Sequence, residues 1–402
     1  MDPVRNPYAP GAGQRPPELA GRDSELDAFE VVLERASRGR PERSLVLTGL
    51  RGVGKTVLLN ALRSTAVRRG WGTGKLEARP DAPLRRPLAA AVHQAVRELS
   101  VRDRDQAEEV LGVVKAFALR ASDPPPGKGA ARLRDRWHPG IDAPAAVGRA
   151  DSGDIEIDLV ELFSDVAGLA ASTGNGVALF VDEMQDLVPD DVSALCAAVH
   201  ELSQQGLPLI VVGAGLPHLP AVLSASKSYS ERLFRYVRID KLTREDADRA
   251  LVHPASEEDA AFDDDALAAL YEATEGYPYF VQAYGKVAWD VAPRSPITAA
   301  DVAVAAPDAQ AELAVGFFGS RYERATPAER EYMRAMADLG AASGDGAVAT
   351  AEVASALGRR PQSLSPARDA LLKKGLVWSG ERGRIAFTVP HFGRYLREQA
   401  AE

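Results

Sequence analysis

The chain has 402 residues, 46% of them apolar and 26% charged, with a formal net charge of -9 at pH 7, room for two or three cores in an ordinary globular composition. A single cysteine, Cys196, excludes an internal disulfide and any cysteine metal cluster, no apolar run reaches membrane-spanning length, and the first residues lack the apolar stretch of an export signal, so a cytoplasmic location is expected. The acidic balance excludes a surface that is basic throughout; residues 325–402 hold 11 Lys and Arg against 9 Asp and Glu, so any nucleic-acid contact is expected near the C-terminus.

Residues 1–20 are rich in Pro and Gly among polar residues and predict an extended arm. Leu26, Phe29, Leu33 and Ala36 then recur at helical spacing, with Asp23 or Ser24 as the expected N-cap. Leu45 to Thr48 is a short apolar run, Gly49-Leu50-Arg51-Gly52-Val53-Gly54-Lys55-Thr56 follows, and apolar residues resume at helical spacing from Val57. Strand, glycine-rich loop and helix in that order make a phosphate cradle. Backbone N–H groups of residues 49–57 close around the anion, Lys55 reaches the β- and γ-phosphates, and the Thr56 hydroxyl is placed to ligate Mg²⁺. A nucleoside triphosphate with Mg²⁺ is the expected ligand.

Gly72 to Ala78 is a second strand candidate and Pro87 to Leu99 a helix, whereas residues 120–155 lack sustained periodicity and predict a loop or insertion. Leu159 to Ala171 regains helical spacing before Val177-Ala-Leu-Phe-Val181-Asp182-Glu183, an apolar strand ending in two acids. In an open α/β sheet such a strand delivers carboxylates to the ligand-binding edge. There Asp182 would hold Mg²⁺, commonly through water, and Glu183 would orient and deprotonate the attacking water. Leu207 to Val212 and Tyr236 to Leu242 are further strand candidates, separated by a segment carrying Arg232 and Arg235, which a surface role alone would also explain.

From Thr243 the pattern is wholly helical, with Gly276-Tyr277-Pro278 opening a helix to Val291, and Pro327 starts another block. Helices over 328–339, 350–357 and 363–374, then strands 376–378 and 385–389 around a basic tip, predict a winged helix. It would set Arg359, Arg360, Gln362, Ser363 and Arg368 near a duplex DNA groove, with Arg382 and Arg384 on the wing. Packing against protein is the alternative use of the same module. The expected organisation is an arm at 1–20, an α/β P-loop core at 21–242, a helical lid at 243–324 and the winged helix at 325–402.

Taken together, GRDSEL, GLRGVGKT, ALFVDE, a helical lid and a winged helix resemble the AAA+ ATPases of the origin-recognition branch and the related archaeal-type and STAND signalling ATPases. The resemblance implies a five-stranded parallel sheet ordered 5-1-4-3-2. It also implies that the Gly21-Arg22 turn and Pro278 contact the nucleotide, and that Arg232, or Arg235 in its place, acts as an arginine finger on a neighbouring copy. Two features depart from the pattern: residues 212–215 offer no polar sensor side chain, and Tyr279 stands where a lid arginine is usual. The resemblance thus implies a slow ATP-hydrolysing switch coupled to DNA, or a STAND-like scaffold whose winged helix binds protein, in either case a candidate homo-oligomer with no membrane contact. A small-molecule P-loop kinase is a third, weaker match.

Overall fold

The computed structural model describes residues 1–11, 13–80, 82–100, 103–120, 140–341 and 346–399. Five parallel strands, β1 (Ser44–Thr48), β2 (Gly72–Glu77), β3 (Val177–Asp182), β4 (Leu209–Gly215) and β5 (Phe234–Arg238), form one sheet in the order β2-β3-β4-β1-β5, the order expected from the resemblance. Strands β1, β3 and β4 are buried along their whole length, which is why they read as apolar runs and not as alternating patterns. On one face lie α1 (Asp23–Ser37) and α2 (Lys55–Arg68), with Phe29, Leu33, Leu58 and Leu62 in the core. On the other lie α3 (Arg85–Leu99), α4 (Arg104–Arg120), α5 (Ile155–Ser172) and α6 (Pro189–Gln205), with Val92, Phe117, Phe163 and Leu195 buried. Helices α7 (Leu219–Ser226) and α8 (Ser230–Leu233) lead into β5. The C-terminal ends of β1, β3 and β4 therefore share one edge, where a ligand crevice belongs.

Helices α9 (Arg244–Glu257), α10 (Asp264–Thr274), α11 (Pro278–Val291) and α12 (Ala299–Leu313) follow, then a π-helical segment Ala314–Gly319 and a single turn α13 (Ser320–Tyr322). The last elements are α14 (Pro327–Gly340), β6 (Val348–Ala349), α15 (Thr350–Ala356), α16 (Pro361–Lys373), β7 (Val377–Trp378), β8 (Arg384–Phe387) and α17 (Phe392–Glu398), with the three strands antiparallel in the order β6-β8-β7. Thr326 and Glu329 cap α14 reciprocally, and Pro327 occupies its first turn. A single buried cluster runs from Leu242 through Phe280, Phe317 and Phe318 to Phe392 and Leu396. The helical bundle and the C-terminal elements thus share one core.

Several expectations need correction. Arg22, not Asp23 or Ser24, is the N-cap of α1, because Asp23 already lies in the helix; no side chain caps its first turn. Residues 104–120 are a helix that stops at Arg120, and α5 begins at Ile155, so the expected 120–155 loop is shorter at both ends; residues 121–139 lie outside the described residues. Residues 140–154 have no regular element but are anchored: Asp158 accepts hydrogen bonds from Arg85 at 2.7 Å, the Ser152 N–H at 2.8 Å and the Ser152 hydroxyl at 2.6 Å. The N-terminal arm packs on the bundle, where Tyr8 is only 4% exposed.

Candidate functional site

The loop between β1 and α2 takes its shape from its glycines. A Cβ on Gly49 would lie 2.2 Å from the Ile239 carbonyl oxygen, so the loop can pass β5 only without a side chain there, and Gly54 turns into α2 with a φ of 90°. Lys55 follows directly. Its ammonium, buried inside the loop, donates to the carbonyls of Gly49 at 2.9 Å and Leu50 at 2.8 Å. Burial, with a smaller contribution from Arg51, pulls its pKa down to about 8, against the pull of Glu183 and Asp182.

The loop opens into a cavity of about 440 Å³ lined by residues 51–57, Arg22, Glu183 and Pro278. Gly49 and Leu50 lie outside its wall and meet Lys55 through their carbonyls. Arg22, 8% exposed, donates to the Val53 carbonyl at 3.2 Å and the Asp240 carbonyl at 2.6 Å, bracing the loop against the end of β5. At the start of α11, beside Pro278, the Tyr279 N–H donates to the Gly52 carbonyl at 3.3 Å and its ring stacks on Phe317 at 4.8 Å.

Asp182 at the end of β3 and Glu183 just after it reach the same edge. Asp182 accepts the Glu183 N–H on one oxygen at 3.0 Å, and the Thr56 hydroxyl makes no hydrogen bond among the described residues. One spare carboxylate oxygen and one hydroxyl are hard donors of the kind Mg²⁺ takes, with water completing its shell. These residues therefore fit the ion, and bound Mg²⁺ would neutralise phosphate charge there.

Glu183 is held on both oxygens. Arg51 donates to one at 3.0 Å and the Gln185 amide to the other at 2.6 Å, while the Gln185 carbonyl accepts the Leu216 N–H at 3.0 Å. A Cβ on Gly215 would sit 2.7 Å from that Gln185 oxygen. Gln185 thus fills the polar position that residues 212–215 leave empty, from a 3-10 turn (Met184–Asp186). The sequence reading missed it; a polar residue two places past Glu183 was its only signal. Nearby Asp186 is pushed up to about 6 by burial and by the Glu183 charge.

The C-terminal elements complete the cavity. The Arg51 N–H donates to the Thr388 carbonyl at 2.9 Å, and Arg321, Arg324 and Lys374 line the cavity. Arg321 lies over the Phe317 ring at 4.4 Å and bonds its carbonyl; burial and the nearby Arg51 and Arg324 charges lower it to about 10. Arg321 thus brings into the cavity a cation that no motif announced. Arg22, Arg51, Lys55, Arg321, Arg324 and Lys374 line the cavity against two carboxylates, Glu18 and Glu183, a balance that suits a polyanion.

Arg232 and Arg235 do not line this cavity; both are exposed and form no ion pair among the described residues. Of the residues expected near DNA, Arg359 pairs with Glu331 at 3.1 Å, Arg368 with Asp369 at 3.0 Å, Arg384 bonds the Ala347 carbonyl, and the Ser363 hydroxyl bonds the Arg360 carbonyl at 2.8 Å. Arg360, Gln362 and Arg382 are exposed. No described helix is long and apolar enough to cross a membrane.

Residues 18–212 match a family described as AAA ATPase domain, and residues 315–396 match a domain of unknown function, DUF8462. No curated protein matches the chain. The Walker-type ATPase PABY2304 of Pyrococcus abyssi is similar in structure over 95% of this chain and 97% of its own, with a TM-score of 0.59 at 15% identity, a likeness of fold. The Thermotoga maritima RuvB Holliday junction branch migration motor (17% identity, 97% and 100% covered, TM-score 0.46) and Cdc6p of Pyrobaculum aerophilum (14% identity, 99% and 97% covered, TM-score 0.43) align more loosely. Residues 18–212 are thus similar to an AAA ATPase domain, and the activity is that of an ATPase.

Proposed function

We propose that this AAA-type ATPase is a slow switch in which bound nucleotide sets the position of the C-terminal elements, which act as a winged helix. The carrying observation is Arg51, whose side chain occupies the Glu183 carboxylate while its backbone is bonded to Thr388. In this arrangement Glu183 is paired, and as a base for water it is disabled. A γ-phosphate would compete for Arg51 and for Arg321, free Glu183, and loosen the contact with Thr388 together. Lys55 would then exchange two loop carbonyls for phosphate oxygens. Thr56 and Asp182 would hold Mg²⁺, and Pro278 and Arg22 would frame the nucleotide. Arg232 is exposed and has no ion-pair partner among the described residues, which supports a role as a finger on a second copy, with Arg235 as the fallback.

Duplex DNA is the ligand we assign to the released winged helix, through Arg360, Gln362 and Arg382 first. Arg359, Ser363, Arg368 and Arg384 would follow once their partners are exchanged for phosphates. The test is duplex binding with ADP and with a non-hydrolysable ATP analogue across a salt series: a phosphate contact weakens steeply as salt rises. No binding in either state at low salt overturns the DNA assignment. A second reading, a STAND-like scaffold whose winged helix holds a protein, is favoured by the acidic partners Glu331 and Asp369 that already neutralise Arg359 and Arg368. Under it, an Arg360→Glu/Arg382→Glu variant keeps its partner and its activity.

A further inference from the structure

Between α12 and α13 the backbone changes its winding. Ala314–Gly319 form a six-residue π-helix, a form in which each N–H reaches a carbonyl five residues back and which recurs as single turns at functional positions. Gly316 and Gly319 lie within it, and glycine holds a helix more weakly than any residue but proline. The segment joins the phosphate loop to the C-terminal elements. Phe317 faces the loop: its ring stacks on Tyr279 at 4.8 Å, and a Cβ on Gly52 would lie 3.3 Å from it. Phe318, the next residue, faces the C-terminal elements and stacks on Tyr395 at 5.2 Å and on Phe392 at 6.0 Å.

Two features favour this winding. A Cβ on Gly319 would lie 3.0 Å from the carbonyl oxygen of Ala314, so any side chain at 319 presses on the carbonyl that a π-turn brings beneath it. At Gly316 a Cβ would meet nothing within 4 Å. The second feature is Arg321. Its guanidinium donates to the Phe317 carbonyl and lies over the Phe317 ring at 4.4 Å. That carbonyl is the acceptor an α-turn would offer to the Arg321 N–H. The side chain thus occupies an acceptor of the alternative winding, while its charge lines the cavity with Arg51 and Arg324.

We propose that Ala314–Gly319 is a register joint, wound as π with ADP and as α with a triphosphate. This rests on the reading of the cavity as the site of a nucleotide-driven switch. A γ-phosphate that draws Arg321 to itself leaves the Phe317 carbonyl to the Arg321 N–H, and the α-turn closes. Rewinding shifts Phe318 against Phe317 by about one residue, a rotation of about 100° and a rise of about 1.5 Å on α-helical geometry. Tyr279 and Gly52 keep Phe317 in place, so the displacement falls on Phe318, which leaves its seat on Phe392 and Tyr395. Only the π form needs glycine at 319.

The experiment places spin labels at Val304→Cys on α12 and Glu381→Cys beside β8, both exposed positions, in a full-length Cys196→Ser chain, and reads their distance by pulsed dipolar spectroscopy with ADP and with a non-hydrolysable ATP analogue and Mg²⁺. Gly319→Ala is compared with Gly316→Ala, which adds the same methyl without crowding the π-turn. In Gly319→Ala the distribution with ADP is expected to match the one that the parent chain reaches only with the ATP analogue. The ratio of ATP-analogue to ADP affinity, read by calorimetric titration, is expected to rise about threefold or more in the same variant. Gly316→Ala is expected to behave as the parent. A Gly319→Ala protein with parental distances and affinities would overturn the joint while leaving the switch standing, as would an equal response in Gly316→Ala, which would trace the effect to helix propensity alone. A parent chain with one distribution for both nucleotides removes the switch, and the joint with it.

Discussion

Arg51 donates its backbone N–H to the Thr388 carbonyl at 2.9 Å, joining the phosphate loop to the C-terminal elements. The Thr388 hydroxyl in turn donates to the Gly375 carbonyl at 2.6 Å, and a Cβ on Gly375 would lie 2.9 Å from the Arg51 guanidinium. One residue is thereby touched by the loop's own chemistry and by the last third of the chain.

If Arg51 restrains Glu183, removing its side chain releases the base. Arg51→Ala is expected to raise kcat for ATP hydrolysis by about fivefold or more, since a hydrogen bond to a charged group is worth about 1.5–3 kcal/mol. KM rises as well, because one phosphate-facing cation is lost. Steady-state kinetics read both, and a lower kcat at unchanged KM contradicts the restraint.

Lys55 and Glu183 should separate binding from chemistry. Lys55→Ala is expected to weaken ATP binding by about a hundredfold or more, as the loss of a buried charge-assisted contact implies. Glu183→Gln should keep binding and slow hydrolysis by about a hundredfold, the typical scale of general-base loss. Equilibrium binding and single-turnover measurements on the same preparations distinguish the two.

The lowered Lys55 pKa gives a pH dependence of definite sign. Without nucleotide the ammonium titrates near 8; bound phosphate favours its charged form and raises that value. ATP affinity is therefore level below pH 8 and falls as pH rises above it, and binding above pH 8 takes up protons. Titration calorimetry at pH 8.5 in buffers of different ionisation enthalpy should detect that uptake.

Arg321 is predicted to distinguish ATP from ADP. Its guanidinium lines the cavity with Arg51 and Arg324, so Arg321→Ala should weaken a non-hydrolysable ATP analogue by about tenfold. ADP binding should change much less.

The parts of this site written in contiguous residues could be read from the sequence. Gly49 to Thr56 form a cradle by local geometry alone, and Val177 to Glu183 deliver their acids because a strand buried on both faces must end at the ligand edge. The strand order followed from the resemblance. What escaped was long-range. Nothing near Arg51 says that Thr388 will meet it, and Arg321 enters the cavity only because Phe317 and Phe318 join the bundle core. Helix α4 was missed although Ala107, Val110, Val114 and Phe117 are its buried stripe. The arm's Pro and Gly content argued against regular structure, and the arm does lack it beyond a short turn at Pro3–Arg5. Its order comes from Tyr8 and Arg5 reaching partners some 250 positions away.

Movement of the C-terminal elements off Arg51 with nucleotide state can be read as one distance. Spin labels at Gln204→Cys on α6 and Glu381→Cys beside β8, both exposed positions, in a Cys196→Ser background that keeps Glu183, report it by pulsed dipolar spectroscopy. With ADP a single narrow distribution matching the docked arrangement is expected. With a non-hydrolysable ATP analogue and Mg²⁺ the distribution is expected to shift or broaden by about 5 Å or more, the scale of domain rearrangements. The same narrow distribution in both states would contradict it.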